Sequence, residues 1–333
     1  MSLITAELLD ALLNPSLGRN AEQQFKAIIL PSRIHGLFSI LQSLQCDNAN
    51  AGECISDSRS MLACVLLRRD VSAIGGYVSK QPNEANEILS MLTGMVQPLL
   101  GFFQVLCEQN QSQSQVQRQI GFVIAELCSA LSLLTEEAAA TAATLVLNTI
   151  GQACSMAQKP ALDLLASLAQ RAPFAINHNQ IQSISNVLQS AASACARLPA
   201  KQQLACVNSI LEAISNIGIA SDIAQKYDSK SKARTTNASS ANANERMIQM
   251  IQLQTMTETN PKKLSIQANS PAAAIGKMCL PCLLQIIHSC PSSRMEIQTI
   301  LQSISQIAST CPSLLAGDVM TFTSVCKVID YRC

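Results

Sequence analysis

The densest group of side chains able to do chemistry is CLPCLLQIIHSC, which brings Cys279, Cys282, His288 and Cys290 within a dozen residues. A C-x-x-C pair is the spacing of a zinc knuckle or a dithiol redox centre, and a nearby histidine or third cysteine would complete a ligand set. Two features oppose that chemistry. The motif lies inside an apolar, helix-like run rather than on a turn, and no second C-x-x-C follows it. The competing reading is core packing, because free cysteine is a small hydrophobe. His35, His178 and His288 are scattered and stand in no recognisable nucleophile motif. Gly276-Lys277 lacks the upstream glycine of a phosphate loop, and Gly75-Gly76 reads as a helix end. Arg68-Arg69 closes the apolar run MLACVLLRRD. Cations there suit a helix C-terminus, or they can reach a partner protein. No catalytic residue, metal ligand or cofactor is assigned, and an enzyme is not expected.

The elements that hold these residues are helical by composition. Of 333 residues, 48% are hydrophobic but only 3% aromatic, with no tryptophan. Leu, Ile, Ala, Val, Met and Cys make up the apolar content, most of them good helix formers. Twelve glycines and twelve prolines are too few for a chain of many tight β-turns. The net charge of +1 gives no global field for nucleic acid or an anionic membrane. Fourteen cysteines suggest disulfides, yet the opening MSLITAELLDALL carries Glu7 and Asp10 and no basic segment of a secretory signal. Cys64, Cys128, Cys206 and Cys326 sit in apolar helical stretches. Reduced thiols and a cytoplasmic and nuclear location are therefore expected. No membrane span is expected, because the most apolar stretch, Met91 to Leu106, is interrupted by Gln97, Pro98 and Gln104.

Apolar positions recur at steps of three and four. Val116, Ile120, Val123, Ile124, Leu127 and Leu131 form one stripe. Leu204, Val207, Leu211 and Ile214 form a second, and Ile297, Ile300, Leu301, Ile304 and Ile307 a third. The pattern predicts helix pairs over 3–13 with 19–30, 32–45 with 56–73, 84–107 with 114–132, 136–154 with 159–171, 178–197 with 200–218, and 270–289 with 293–310. A last helix over 314–329 lacks a partner. A unit of about 40 residues falls in the HEAT and armadillo range, and one such pair must stack on its neighbours to cover its stripe. The fold expected is all-α, a right-handed superhelical solenoid of about six to seven HEAT-type antiparallel helix pairs. Pro98 and Pro281 mark either kinks within helices or helix starts. Residues 227–267, rich in Ser, Thr, Asn and Lys, read as a flexible polar insertion. It separates pairs one to five (1–226) from pair six and the start of the next (268–333).

Three motifs in order then carry a resemblance. LLDALLNPSLGRNAEQQFKAI contains Asn14-Pro15, Arg19, Ala21, Glu22 and Phe25. SDSRSMLACVLLRRDV follows, and then QSQVQRQIGFVIAEL. Across residues 1–132 these resemble the N-terminal HEAT segment of the importin-β (karyopherin-β) superfamily, nearest the importin subunit beta-3 branch. IASTCPSLLAGDVMTF continues the likeness more loosely. The resemblance implies a nuclear transport receptor that binds Ran-GTP and cargo on its concave face and Phe-Gly-repeat nucleoporins on its convex face. Carried over by position, the Ran-facing residues are Arg68, Arg69, Gln117, Arg118 and Glu126. The chain departs from the family in being much shorter, in being neutral rather than acidic, and in ending on VCKVIDYRC without a polar capping helix. A fragment, an incomplete gene model and a short paralogue all fit those departures. A HEAT-repeat scaffold for another complex, without Ran binding, is the alternative.

Overall fold

The computed structural model describes residues 4–51, 57–108, 115–176, 178–234, 271–289, 302–305, 307 and 313–316. Among them the regular elements are helices, with no strand. The chain divides into two compact units, Met1–Ala142 and Ala143–Cys333. The division falls inside a helix.

The first unit holds α1 (Ala6–Leu13), α2 (Gly18–Ala27), α3 (Leu30–Ala51), α4 (Asp57–Ser72), α5 (Ile74–Val78), α6 (Ala85–Glu108) and α7 (Gln115–Leu134). Helix α1 starts where Thr5, in an extended conformation, accepts the Leu8 N–H on its hydroxyl. This satisfies one of the free donors of the first turn. The helix stops at Asn14, whose side-chain oxygen accepts from both the backbone N–H and the hydroxyl of Ser16. That local turn before α2 is what an Asn-Pro pair favours. Helices α3 and α4 pack together, as do α6 and α7; α3 also touches α6, and α4 lies along α7. For these two pairs the first helices meet each other and the second helices meet each other, whereas α1 packs on α4. Leu37, Leu41, Cys64, Leu67, Leu92, Leu100, Phe103, Ile120 and Ile124 fill the space between them, essentially without exposure.

Two local features differ from the sequence expectation. Gly75 and Gly76 do not end α4, which stops at Ser72; they lie in the short helix α5. Helix α6 runs through Pro98, so this proline does not mark a helix start.

The second unit contains most of α8 (Glu136–Ser155), then α9 (Lys159–Arg171), α10 (His178–Cys195), α11 (Ala200–Arg234), α12 (Pro271–Ser289) and the short α13 (Ser313–Ala316). Helix α9 packs on α11, and α10 on both α11 and α12. Gln180 of α10 donates to Thr144 of α8 at 2.7 Å. Ala161, Ala166, Ala169, Ala213, Ala220, Ala272 and Ala273 are buried, and small side chains of this kind let helix backbones approach closely. The nearest approach is at Gly276, where a Cβ would collide with the backbone carbonyl of Leu314. Helix α8 closes with a Schellman turn: Gln158 N–H donates to Ala153, and Ala157 N–H to Cys154. Ala157 therefore takes φ +57°, the left-handed region.

Helix α11 extends well past residue 218, through Tyr227–Arg234, into the stretch expected to be a flexible insertion. The reason is local. After Gly218 the sequence IASDIAQKYDSKSKAR has neither glycine nor proline, and polar composition alone does not stop a helix. The rest of that stretch, 235–267, lies outside the described residues, as do most of the helices expected over 293–310 and 314–329. Pro281, like Pro98, is inside its helix.

Averaged over a window, two helical stretches among the described residues are long and apolar enough to cross a membrane: Pro82–Cys107, mean hydropathy 1.5, and Gln202–Ser221, mean hydropathy 1.4. The second is the more enclosed by its own unit, 72% buried against 44%.

A candidate protein-binding face on α4 and α7

Helix α4 delivers two adjacent arginines to two different places. Arg68, half-buried, stacks over the ring of Phe122 in α7, with its guanidinium carbon 5.5 Å from the centroid. Arg118, one turn before Phe122 on the same helix, stacks on that ring too, at 5.4 Å. Residues four apart on a helix share a face, which explains the Arg118–Phe122 contact; the α4–α7 packing brings Arg68 to the same ring. A guanidinium over an aromatic face is attracted by the ring quadrupole, about 0.5–1 kcal/mol where exposed. Among the described residues, no carboxylate forms an ion pair with Arg68 or Arg118.

Arg69 turns the other way. It stacks on Phe25 of α2 at 5.5 Å, and Arg33 of α3 stacks on the same ring at 5.3 Å. Between these two arginines lies Asp70, whose side chain is only 3% exposed. Arg33 donates from Nε to Asp70 Oδ2 at 2.8 Å and from Nη1 to the Ile28 carbonyl at 3.0 Å. Arg69 donates to Oδ1 through Nε and Nη2, at 3.3 and 3.2 Å. One buried carboxylate thus ties α2, α3 and α4 at a single point. Glu22, on the surface of α2, has its carboxyl held below the usual range by its bond to Lys26, by the Lys26 charge and, more weakly, by the charge of Arg69.

The five residues carried over from the family pattern do not share one environment. Arg69 and Arg118 are exposed and Arg68 half-buried. Gln117 and Glu126 are buried, at 2% and 7% exposure, and present little to a partner. The amide of Gln117 donates to Cys107 Sγ at 2.9 Å, across the α6–α7 contact. The cause is that α7 packs against α4, α5 and α6, so helix sides that a single stripe leaves open are covered. Phe25, Arg33, Asp70 and Phe122 were not singled out by sequence reasoning as parts of this face. Only the four-residue Arg118–Phe122 spacing announces a contact; Arg33 and Asp70 are 37 residues apart.

The cysteine-rich segment lies elsewhere. Cys279 is buried in α12, with Sγ directed at the Ser185 carbonyl 4.0 Å away in α10. Cys290 and the side chains of Cys282 and His288 lie outside the described residues. Among the described residues no group of three Cys, His, Asp or Glu is placed to hold a metal ion. Cys64, Cys128 and Cys206 are free thiols. Burial pushes Cys64 and Cys128 up to about 12, and raises Cys206 as well. His35 is exposed on α3. In the second unit a shallow groove of about 520 Å³ runs between the end of α8 and α10, lined by Met156, Gln189, Ser193 and Arg197.

No protein-family model matches the chain, and a search of curated proteins returns no match.

Proposed function

We propose that this chain is a HEAT-type helical-repeat protein that binds other proteins, in the manner of an importin-β-like nuclear transport receptor. Its partners on this reading are Ran-GTP, Phe-Gly-repeat nucleoporins and cargo, in nucleocytoplasmic protein import. Two things support it: the order of the three N-terminal motifs, and the packing of α3 on α6 and of α4 on α7, first helix on first and second on second, between two successive pairs. The observation that carries the binding face is the junction of α4 and α7. Consecutive second helices each supply an arginine to one ring, Arg68 and Arg118 on Phe122. Helices stacked in this way offer an extended face suited to a protein surface rather than a small molecule. Arg68 and Arg118 are the residues of that face; Arg69 turns to Phe25 and Asp70, and Gln117 and Glu126 are buried beside it.

The test is retention of the full chain on Ran loaded with GTP or with GDP. Selective retention by the GTP form is the expected result. Equal retention by both forms, or by neither, removes the transport reading and leaves a HEAT-repeat scaffold that organises another complex.

A further inference from the structure

The first unit contains the same constellation twice, once complete and once missing a part. At Phe25, two arginines flank a ring and a carboxylate, Asp70, lies between them. At Phe122, two arginines flank a ring and no carboxylate among the described residues pairs with either. We infer that the Arg68–Phe122–Arg118 cluster is a docking site for an acidic segment of a partner protein, whose Asp or Glu side chain takes the place that Asp70 fills in the neighbouring cluster.

The physical case has three parts. First, both cations are arginines. A guanidinium presents a planar fork of donors that matches a carboxylate in two bonds, whereas an ammonium is a point charge. Second, the ring organises them in advance. Stacking occupies the flat face of each guanidinium and limits its rotamers while its N–H edges remain able to donate, so less freedom is lost on binding. Third, the alternative anionic macromolecule fits less well. Single-stranded nucleic acid relies on open aromatic faces for base stacking, and here the half-buried ring already carries two guanidinium contacts. The charge of +1 on the whole chain also lacks the broad basic stripe that phosphate backbones require. Arg69, next in sequence, is already engaged with Asp70 and takes a minor part.

The inference rests on reading this face as protein-binding, but not on Ran. It is tested with the full chain and a fluorescein-labelled oligoglutamate peptide, followed by anisotropy at low and moderate salt, with oligolysine and a single-stranded oligodeoxynucleotide as comparisons. Saturable binding of oligoglutamate that weakens with salt is expected, and no binding of oligolysine. Joint Arg68→Gln and Arg118→Gln substitution should weaken it by about tenfold or more, a loss of about 1.4 kcal/mol. Joint Arg68→Lys and Arg118→Lys substitution keeps both charges but removes the forks, and should still weaken binding severalfold. Arg69→Gln should leave it within about twofold, because Arg69 is directed at Phe25 and Asp70 and not at the Phe122 ring. If the glutamine pair loses helicity, the lysine pair decides. No oligoglutamate binding by the folded wild type, full binding by the lysine pair, or tighter binding of the oligodeoxynucleotide would overturn the proposal. Because Ran is absent from the assay, its failure is separate from failure of the transport reading.

Discussion

Between Met1 and Ala142 the helices are tied across long sequence separations by charge. Arg33 meets Asp70, Arg59 of α4 grips Asp10 of α1 through two bonds at 2.9 and 2.6 Å, and arginines cap the rings of Phe25 and Phe122. Between Ala143 and Cys333 the ties span comparable separations but are mostly neutral. Asn216 donates to the Ala166 carbonyl at 3.0 Å, Ser303 to Asn208 at 2.7 Å, and the Cys206 thiol to the Ala157 carbonyl at 3.3 Å. Only Ser209, donating to Asp163 at 2.9 Å, uses a charged acceptor among these. Five of the seven phenylalanines belong to the first unit, and two of them carry the guanidinium contacts described above. The comparison teaches that helix pairs of similar length can be joined by a few high-stakes polar nodes or by close approach of small side chains. The two kinds of joint should fail differently.

The first unit should be the easier to break at one point. Replacing Asp70 with Ala leaves Arg33, only 17% exposed, without its carboxylate. Removing one partner of a buried pair costs about 3–5 kcal/mol. Urea denaturation should show a loss of that size, and hydrogen exchange should place the lost protection in α2, α3 and α4. Arg59→Ala removes a far more exposed pair and should cost about 1 kcal/mol or less.

In the second unit the sensitive point is a contact with no room to spare. Gly276→Ala puts a methyl group against the Leu314 carbonyl, and α12 must shift or α13 must undock. A cost of about 1–3 kcal/mol is expected for such overpacking. Thermal melting reads the cost, and exchange over 271–289 locates it.

Alkaline pH sharpens the comparison through the thiols. Cys64 and Cys128 of the first unit are held protonated by burial, at about 12 against an ordinary 9.0. Their folded values are raised, so their contribution to stability is complete below pH 9 and is lost as the pH climbs from there towards 12. The loss should be on the order of 1 kcal/mol per thiol by about pH 10. Comparing wild type with a Cys64→Ala, Cys128→Ala double variant at pH 7 and pH 10 isolates this slope. Equal slopes in the two proteins would mean that neither thiol contributes. At neutral pH both thiols should resist alkylation until the unit opens.

The smallest effect has the opposite sign. Gly94 is exposed within α6, and a Cβ there meets nothing within 4 Å. Gly94→Ala should therefore raise stability by about 0.5–1 kcal/mol, measurable as a higher melting temperature. Gly36→Ala, whose Cβ would lie 2.9 Å from that of Ile4, should lower it.

Much of the helical framework was legible because it rests on periodicity. The stripe from Val116 to Leu131 becomes the buried face of α7, and Pro15 and Gly18 bracket the turn before α2. What escaped is of two kinds. Helix ends that no breaker marks, such as the continuation of α11 to Arg234, leave no trace in polarity. Neither do side-chain meetings set by packing. Gln117 lies on the polar side of a one-dimensional stripe and yet is buried, because α6 covers that side and supplies Cys107. Arg68 and Arg69 are neighbours in the chain, but a helix turns about 100° per residue, and that rotation sends one to Phe122 and the other to Asp70.

The turn at Ala157 carries a consequence for sequence variation. Its left-handed backbone is fixed by the Schellman bonds, and the residue is 4% exposed. A side chain there is therefore constrained twice, by the torsion and by the space. Glycine suits the torsion best, a side chain larger than alanine must displace the neighbours that bury it, and β-branched residues are disfavoured on both counts. In a saturation library the tolerance profile at 157 should invert that of Gln152 on the exposed side of α8: glycine enriched, valine, isoleucine and threonine depleted. A corner between two helices would thus appear in the data as a single column of reversed preference.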